Sequence, residues 1–136
     1  MTTYTEQLRK LLEGLYLRTI EKSINWTYDE SSDSCESRLG DGYVQVVGET
    51  DDAGDYYSFI KLLNYNKQVI DSIYGGSYGL KDHKPSNTGH PDYWKLIVDL
   101  KQAAERSALG ADKVIETMLL RLNSDNLKLD DDEVPF

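Results

Sequence analysis

The sequence predicts an α+β domain, and three observations carry that prediction. An apolar stripe at helical spacing opens the chain, a series of short β-favouring segments joined by Gly- and Asp-rich turns follows, and helical spacing returns after Pro91. That order places a helix first, then an antiparallel meander of three to four strands, then two C-terminal helices packed on one sheet face. With 136 residues, 39% of them hydrophobic and 29% charged, the chain has the size of one domain with a single core. Residues 1–123 are expected to form it, and 124–136 a flexible, disordered acidic tail.

The first helix is expected over 5–22. Leu8, Leu11, Leu12, Leu15, Tyr16, Thr19 and Ile20 recur on one face, and Arg9, Lys10, Glu13 and Arg18 fall mostly elsewhere. Thr5 is a candidate cap, with Thr2 and Thr3 in competition. Ile24, Trp26 and Tyr28 then alternate with Asn25 and Thr27, the pattern of a short strand or an extended lead-in. Strands at 35–39 and 43–49 flank Gly40-Asp41-Gly42, a hairpin signal. Asp51-Asp52-Ala53-Gly54 turns the chain into a strand at 56–63, and 64–67 turns it into another at 68–74.

The next stretch, GGSYGLKDHKPSNTGHP at 75–91, holds four glycines and two of the three prolines, and reads as a solvated surface connection. Pro91 and Asp92 suit a helix start. Tyr93, Leu96, Ile97, Leu100, Ala104 and Ala108 make its apolar stripe. Leu109-Gly110 is a stop, and Asp112 a second cap. Val114, Ile115, Met118, Leu119 and Leu122 form the stripe of a last helix ending near Asn123.

The residues that carry chemistry are sparse in this body. Cys35 is the single cysteine, which rules out an internal disulfide or a cysteine zinc cage and leaves a small, half-buried strand residue. His83 and His90, with Asp82 and Asp92 nearby, follow no metal-ligand spacing and read as ordinary loop histidines. GGSYG lacks the Lys-Ser or Lys-Thr of a phosphate loop, and no Ser-His-Asp order, paired Glu motif or HExxH occurs. The expectation is a protein that is not an enzyme and uses no cofactor or metal. The chain has neither a run long enough to span a bilayer nor the layout of a signal peptide, so a cytoplasmic location is expected.

Ten tyrosines are present, six of them at 43, 56, 57, 65, 74 and 78. Rings half-buried on a sheet by β-propensity are the leading reading. Tyr43, Tyr56, Tyr57, Tyr74 and Tyr78 are also a candidate contact surface for a protein, since tyrosine supplies rigid amphipathic area. A base-stacking platform ranks lower, because no basic groove accompanies the rings. The net charge of −9 arises from 24 acids against 15 bases. Residues 124–136 hold five acids and one lysine, a net of −4, which leaves −5 for the body. That balance disfavours nucleic acid and favours a basic partner.

The closing residues Asp130, Asp131, Asp132, Glu133, Val134, Pro135 and Phe136 stand apart. Like charges favour an extended, solvated segment. Pro135 fixes its own φ and biases Val134 away from the helical region. A Phe at the end of such a string is suited to an apolar pocket with a basic rim. Burying its ring supplies about 1.5–3 kcal/mol, and a charged hydrogen bond at its carboxylate about 1.5–3 more. The outcome is salt-sensitive binding near micromolar.

This segment resembles the C-terminal tip of bacterial single-stranded DNA-binding protein, an acidic run closing on aliphatic-Pro-Phe. The tip of that family docks onto genome-maintenance enzymes, including exonuclease I, RecQ-type helicases, primosomal helicase and the recombination mediator. The resemblance covers seven residues. It implies that Phe136 fills a pocket, that Pro135 and Val134 make a second contact, and that Asp130, Asp131, Asp132 and Glu133 meet a basic rim. It also implies a partner that is a DNA replication or repair protein. The order of elements in the body is not that of the family's OB-fold, so the expectation is a different protein, bacterial or phage, bearing the same docking tip. It would recruit the body to such enzymes or compete for them. Two other readings stay open: an acidic inhibitor, immunity or DNA-mimic protein acting through its Tyr-rich body, and a single-strand binder whose tail occupies its own groove.

Overall fold

Thr3 opens the first helix, accepting a hydrogen bond from Glu6 N at 3.1 Å, so the cap lies two residues before Thr5. In the computed structural model, which describes residues 3–124, the elements are α1 (Tyr4–Ile20), β1 (Thr27–Asp29), β2 (Ser34–Leu39), β3 (Gly42–Thr50), β4 (Tyr56–Leu63), β5 (Val69–Ile73), α2 (Tyr93–Ala108) and α3 (Ala111–Ser124). The strands form one antiparallel sheet in the order β1-β2-β3-β4-β5. The α+β class holds, with five strands where three to four were expected. The extra strand is the lead-in after α1. Its alternation brings Thr27 opposite Glu36 and Tyr28 opposite Cys35, so it pairs instead of only leading into the sheet.

The register explains which face is buried. Cys35, Val46, Ile60 and Ile73 stand side by side across four strands, and all are fully buried. They meet Leu8, Leu12 and Leu15 of α1 and Leu96, Ile97 and Leu100 of α2 in one core. Alternation sends Glu36, Gln45, Lys61 and Ser72, which also align, to the opposite face. Cys35 is buried more deeply than expected, and burial pushes its thiol up to about 11.

α2 starts where the sequence indicates, with Asp92 accepting from Lys95 N at 2.8 Å. It lies on the sheet and against α1. Gly110 takes a left-handed φ of 71° after it, a conformation glycine adopts without a Cβ penalty, and the chain turns into α3. Asp112 lies inside the first turn of α3 and does not cap it; it bridges Lys22 at 3.0 Å and Arg106 at 3.5 Å. α3 packs mainly on α2. Within 75–91 the structure adds a short 3-10 turn, Ser77–Asp82, whose Leu80 is fully buried.

Candidate functional site

The polar centre of the interior is Lys101, which α2 carries toward the sheet. Its side chain is 2% exposed, and its Nζ donates to Asp33 Oδ1 at 2.8 Å. Glu105 lies 3.5 Å from the same nitrogen, and the Tyr28 ring centre 5.4 Å. Asp33 also accepts from the Tyr28 hydroxyl at 2.9 Å and the Tyr56 hydroxyl at 2.8 Å. Burial opposes charge on Lys101, yet the hydrogen bond to Asp33 and the neighbouring acidic groups raise its pKa above the ordinary lysine value. Burial likewise works against Asp33, and its bonds from Lys101, Tyr56 and Tyr28 bring it below the usual carboxylate range. Both partners therefore stay ionised at neutral pH. The pair fixes the turn between β1 and β2 to α2 and has no proton to exchange near pH 7.

Gly48 makes room for this cluster. Its N–H donates to Asp33 O at 2.9 Å. A Cβ there would fall on the Tyr56 hydroxyl and lie 2.6 Å from Asp33 Oδ2.

A buried acid, Glu13 on α1, straps down the long connection. Its Oε1 accepts from Ser86 N at 2.8 Å and Asn87 N at 2.9 Å, and its Oε2 from the Tyr93 hydroxyl at 2.8 Å. Arg9 adds donors to Tyr93, to Lys84 O and to Ser86. Most of the connection is exposed, as read from sequence, but it is tied to α1 at these points. His90 bonds Thr88 Oγ1 at 2.7 Å and Asp99 Oδ2 at 2.9 Å, edge-on to Tyr16. His83 is exposed. Among the described residues no group of three or more His, Cys, Asp or Glu side chains is arranged to hold a metal.

The five candidate tyrosines divide between the two sides of the sheet. Tyr57 and Tyr74 come together on the face turned away from the helices, with Phe59 stacked on both at 6.0 and 4.9 Å. Tyr43 shares that face at its other end, under Lys67 at 4.6 Å. Between them lies a polar groove of about 440 Å³ lined by Asp29, Ser34, Glu36, Gln45, Lys61 and Lys67. Glu36 accepts there from Gln45 and Lys67. Tyr56 points to the other side and belongs to the Lys101 cluster. Tyr78, at a left-handed φ of 51°, bonds Asp71 together with Tyr4 and meets the Tyr4 ring edge-on at 5.1 Å. It is tied to β5 through Asp71 and is not part of the Tyr57 surface.

The sequence reading did not single out Asp33, Gly48 or Lys101. One signal was available for the lysine: it sits four residues after Ile97 and next to Leu100, at the margin of the apolar stripe of α2. The candidate contact residues Asp130, Asp131, Asp132, Glu133, Val134, Pro135 and Phe136 lie outside the described residues. No family model matches the chain, and no curated protein or solved structure matches it significantly. Among the described residues no helix is long and apolar enough to cross a membrane.

Proposed function

We propose that this chain is a non-enzymatic interaction protein that docks Asp130 to Phe136 into the pocket that single-stranded DNA-binding protein tips occupy on DNA replication, repair and recombination proteins. One observation carries this reading: four consecutive acids run directly into Val134-Pro135-Phe136. The acids supply rim pairs worth about 0.2–1 kcal/mol each, and the ring supplies the buried anchor. Reach also supports it. Twelve residues follow Ser124, and at about 3.3–3.6 Å per residue they span roughly 40 Å at most.

The test is binding of the full chain and of its Phe136→Ala variant to an isolated tip-binding partner such as exonuclease I. The reading expects salt-sensitive binding that competes with a single-stranded DNA-binding protein tip peptide and weakens at least tenfold in the variant. Equal affinity of the two proteins ends it.

One structural observation favours a second reading, an acidic inhibitor acting through its body. Tyr57 and Tyr74, both half-buried, stack over the buried Phe59 ring on the sheet face turned away from the core. In that case removing 124–136 leaves partner binding intact, and Tyr57→Ala abolishes it.

A further inference from the structure

We propose that α3 is a self-association element, and that a second copy of this chain covers its apolar stripe in an antiparallel, two-fold helix pair. Val114, Ile115, Met118 and Leu119 are 45%, 47%, 59% and 43% exposed. Its first turn is tied down by ion pairs, through Asp112 to Lys22 and Arg106. Fourteen residues make a helix about 21 Å long, close to the roughly 12–15 residues below which an isolated helix is marginal in water. A helix so placed draws its stability from whatever buries its apolar side.

The spacing identifies the occupant. Ala111, Ile115, Met118 and Leu122 succeed one another at intervals of four, three and four residues, the seam spacing of paired helices. Val114 and Leu119 flank that seam with further apolar area. Turned head to tail on a second copy, the seam is complementary to itself: Ala111 falls opposite Leu122 of the other copy, and Ile115 opposite Met118. Small meets large at the ends and medium meets medium at the centre, and each contact occurs twice, as a two-fold interface requires.

The area agrees. The four exposed side chains leave on the order of 400 Å² of apolar surface per copy, the size of a functional patch. Two copies bring roughly 800 Å² together, the low end of the range, where weak and transient interfaces lie. That is enough for a reversible dimer and too little for an obligate one. The segment 125–136 is the poorer cover. It offers only Leu127 and Leu129 next to the helix before its acidic run.

The experiment is sedimentation velocity or light scattering of the full chain over a dilution series. The expected result is a monomer–dimer equilibrium whose dissociation constant rises at least tenfold in Met118→Lys and in Ile115→Lys, with the near-ultraviolet spectrum of the body unchanged. The arrangement is checked by disulfide trapping: a mixture of Ile115→Cys and Met118→Cys chains cross-links under mild oxidation far more than either alone. A monomer at every concentration overturns the proposal, including one whose α3 amides resist exchange because residues 125–136 cover them. A dimer indifferent to both lysine variants, or cross-linking stronger within each cysteine variant than in the mixture, overturns it equally.

Discussion

Lys101 Nζ sits 2.8 Å from Asp33 Oδ1 with the lysine side chain 2% exposed, so the ion pair that joins α2 to the β1–β2 turn is made inside the protein. Asp33 is about a third exposed at its own side chain and keeps a path to water. The two partners are therefore not equivalent. Asp33→Ala strands a buried ammonium with Glu105 as its remaining acid, at 3.5 Å, and is expected to cost about 3 kcal/mol, the low end for breaking a buried pair. Lys101→Met lets Asp33 rehydrate and fills the space with apolar atoms, and is expected to cost about 1 kcal/mol or less. Urea unfolding of both variants checks the order.

Gly48→Ala is expected to destabilise by about 1–3 kcal/mol, the usual range for overpacking. The new methyl would displace the Tyr56 hydroxyl from Asp33. In a Tyr56→Ser background the cost should shrink, because the largest obstacle is gone. A double-mutant cycle measures that coupling.

Glu13→Gln removes the charge that two backbone N–H groups and one hydroxyl share. Hydrogen bonds to a charged group contribute about 1.5–3 kcal/mol. The variant is expected to lose roughly one of these and to loosen the connection before α2. Faster hydrogen exchange at Ser86 and Asn87 than at the β3 amides would register the loss, and unchanged exchange would contradict it.

Stability should hold a plateau through neutral pH and fall on both sides. Burial pushes Asp33, Glu36 and Asp71 upward, but the donors around each bring the folded pKa below its ordinary value. Their contribution is present above the unfolded values of about 3.9–4.3 and is lost as pH falls through the lower folded ones. On the alkaline side, the bond to Asp71 pushes Tyr4 up to about 12, and the bond to Glu49 pushes Tyr57 up to about 12. Lys101 is also raised. Those contributions are complete below the unfolded values of about 10 and 10.4 and disappear as pH rises through the folded ones. Urea midpoints measured from acid to alkaline pH test both limbs, and Asp33→Asn should flatten the acid limb.

The elements were legible because each announces itself locally. Leu8, Leu12 and Leu15 sit at helical spacing, Asp92 caps the helix that begins at Tyr93, and Gly40-Asp41 joins two β-favouring runs; each of these depends on a few neighbouring residues. The lead-in at 24–28 was ambiguous for the opposite reason. Three paired residues are too few to signal a strand until Cys35 and Glu36 are in place beside them.

By itself the sequence determined the order of elements, the Asp92 cap, most of the core faces of α1 and α2, and the acidic Val-Pro-Phe ending, all set by short-range periodicity and composition. Only the tertiary structure decided that Lys101, Asp33, Tyr28 and Tyr56 meet, that Tyr57 and Tyr74 share a face while Tyr56 and Tyr78 do not, and that Val114, Ile115, Met118 and Leu119 of α3 stay exposed. The physical reason is distance along the chain. Asp33 and Lys101 are 68 residues apart, and no local pattern records a contact that exists only once a helix has been laid across a sheet.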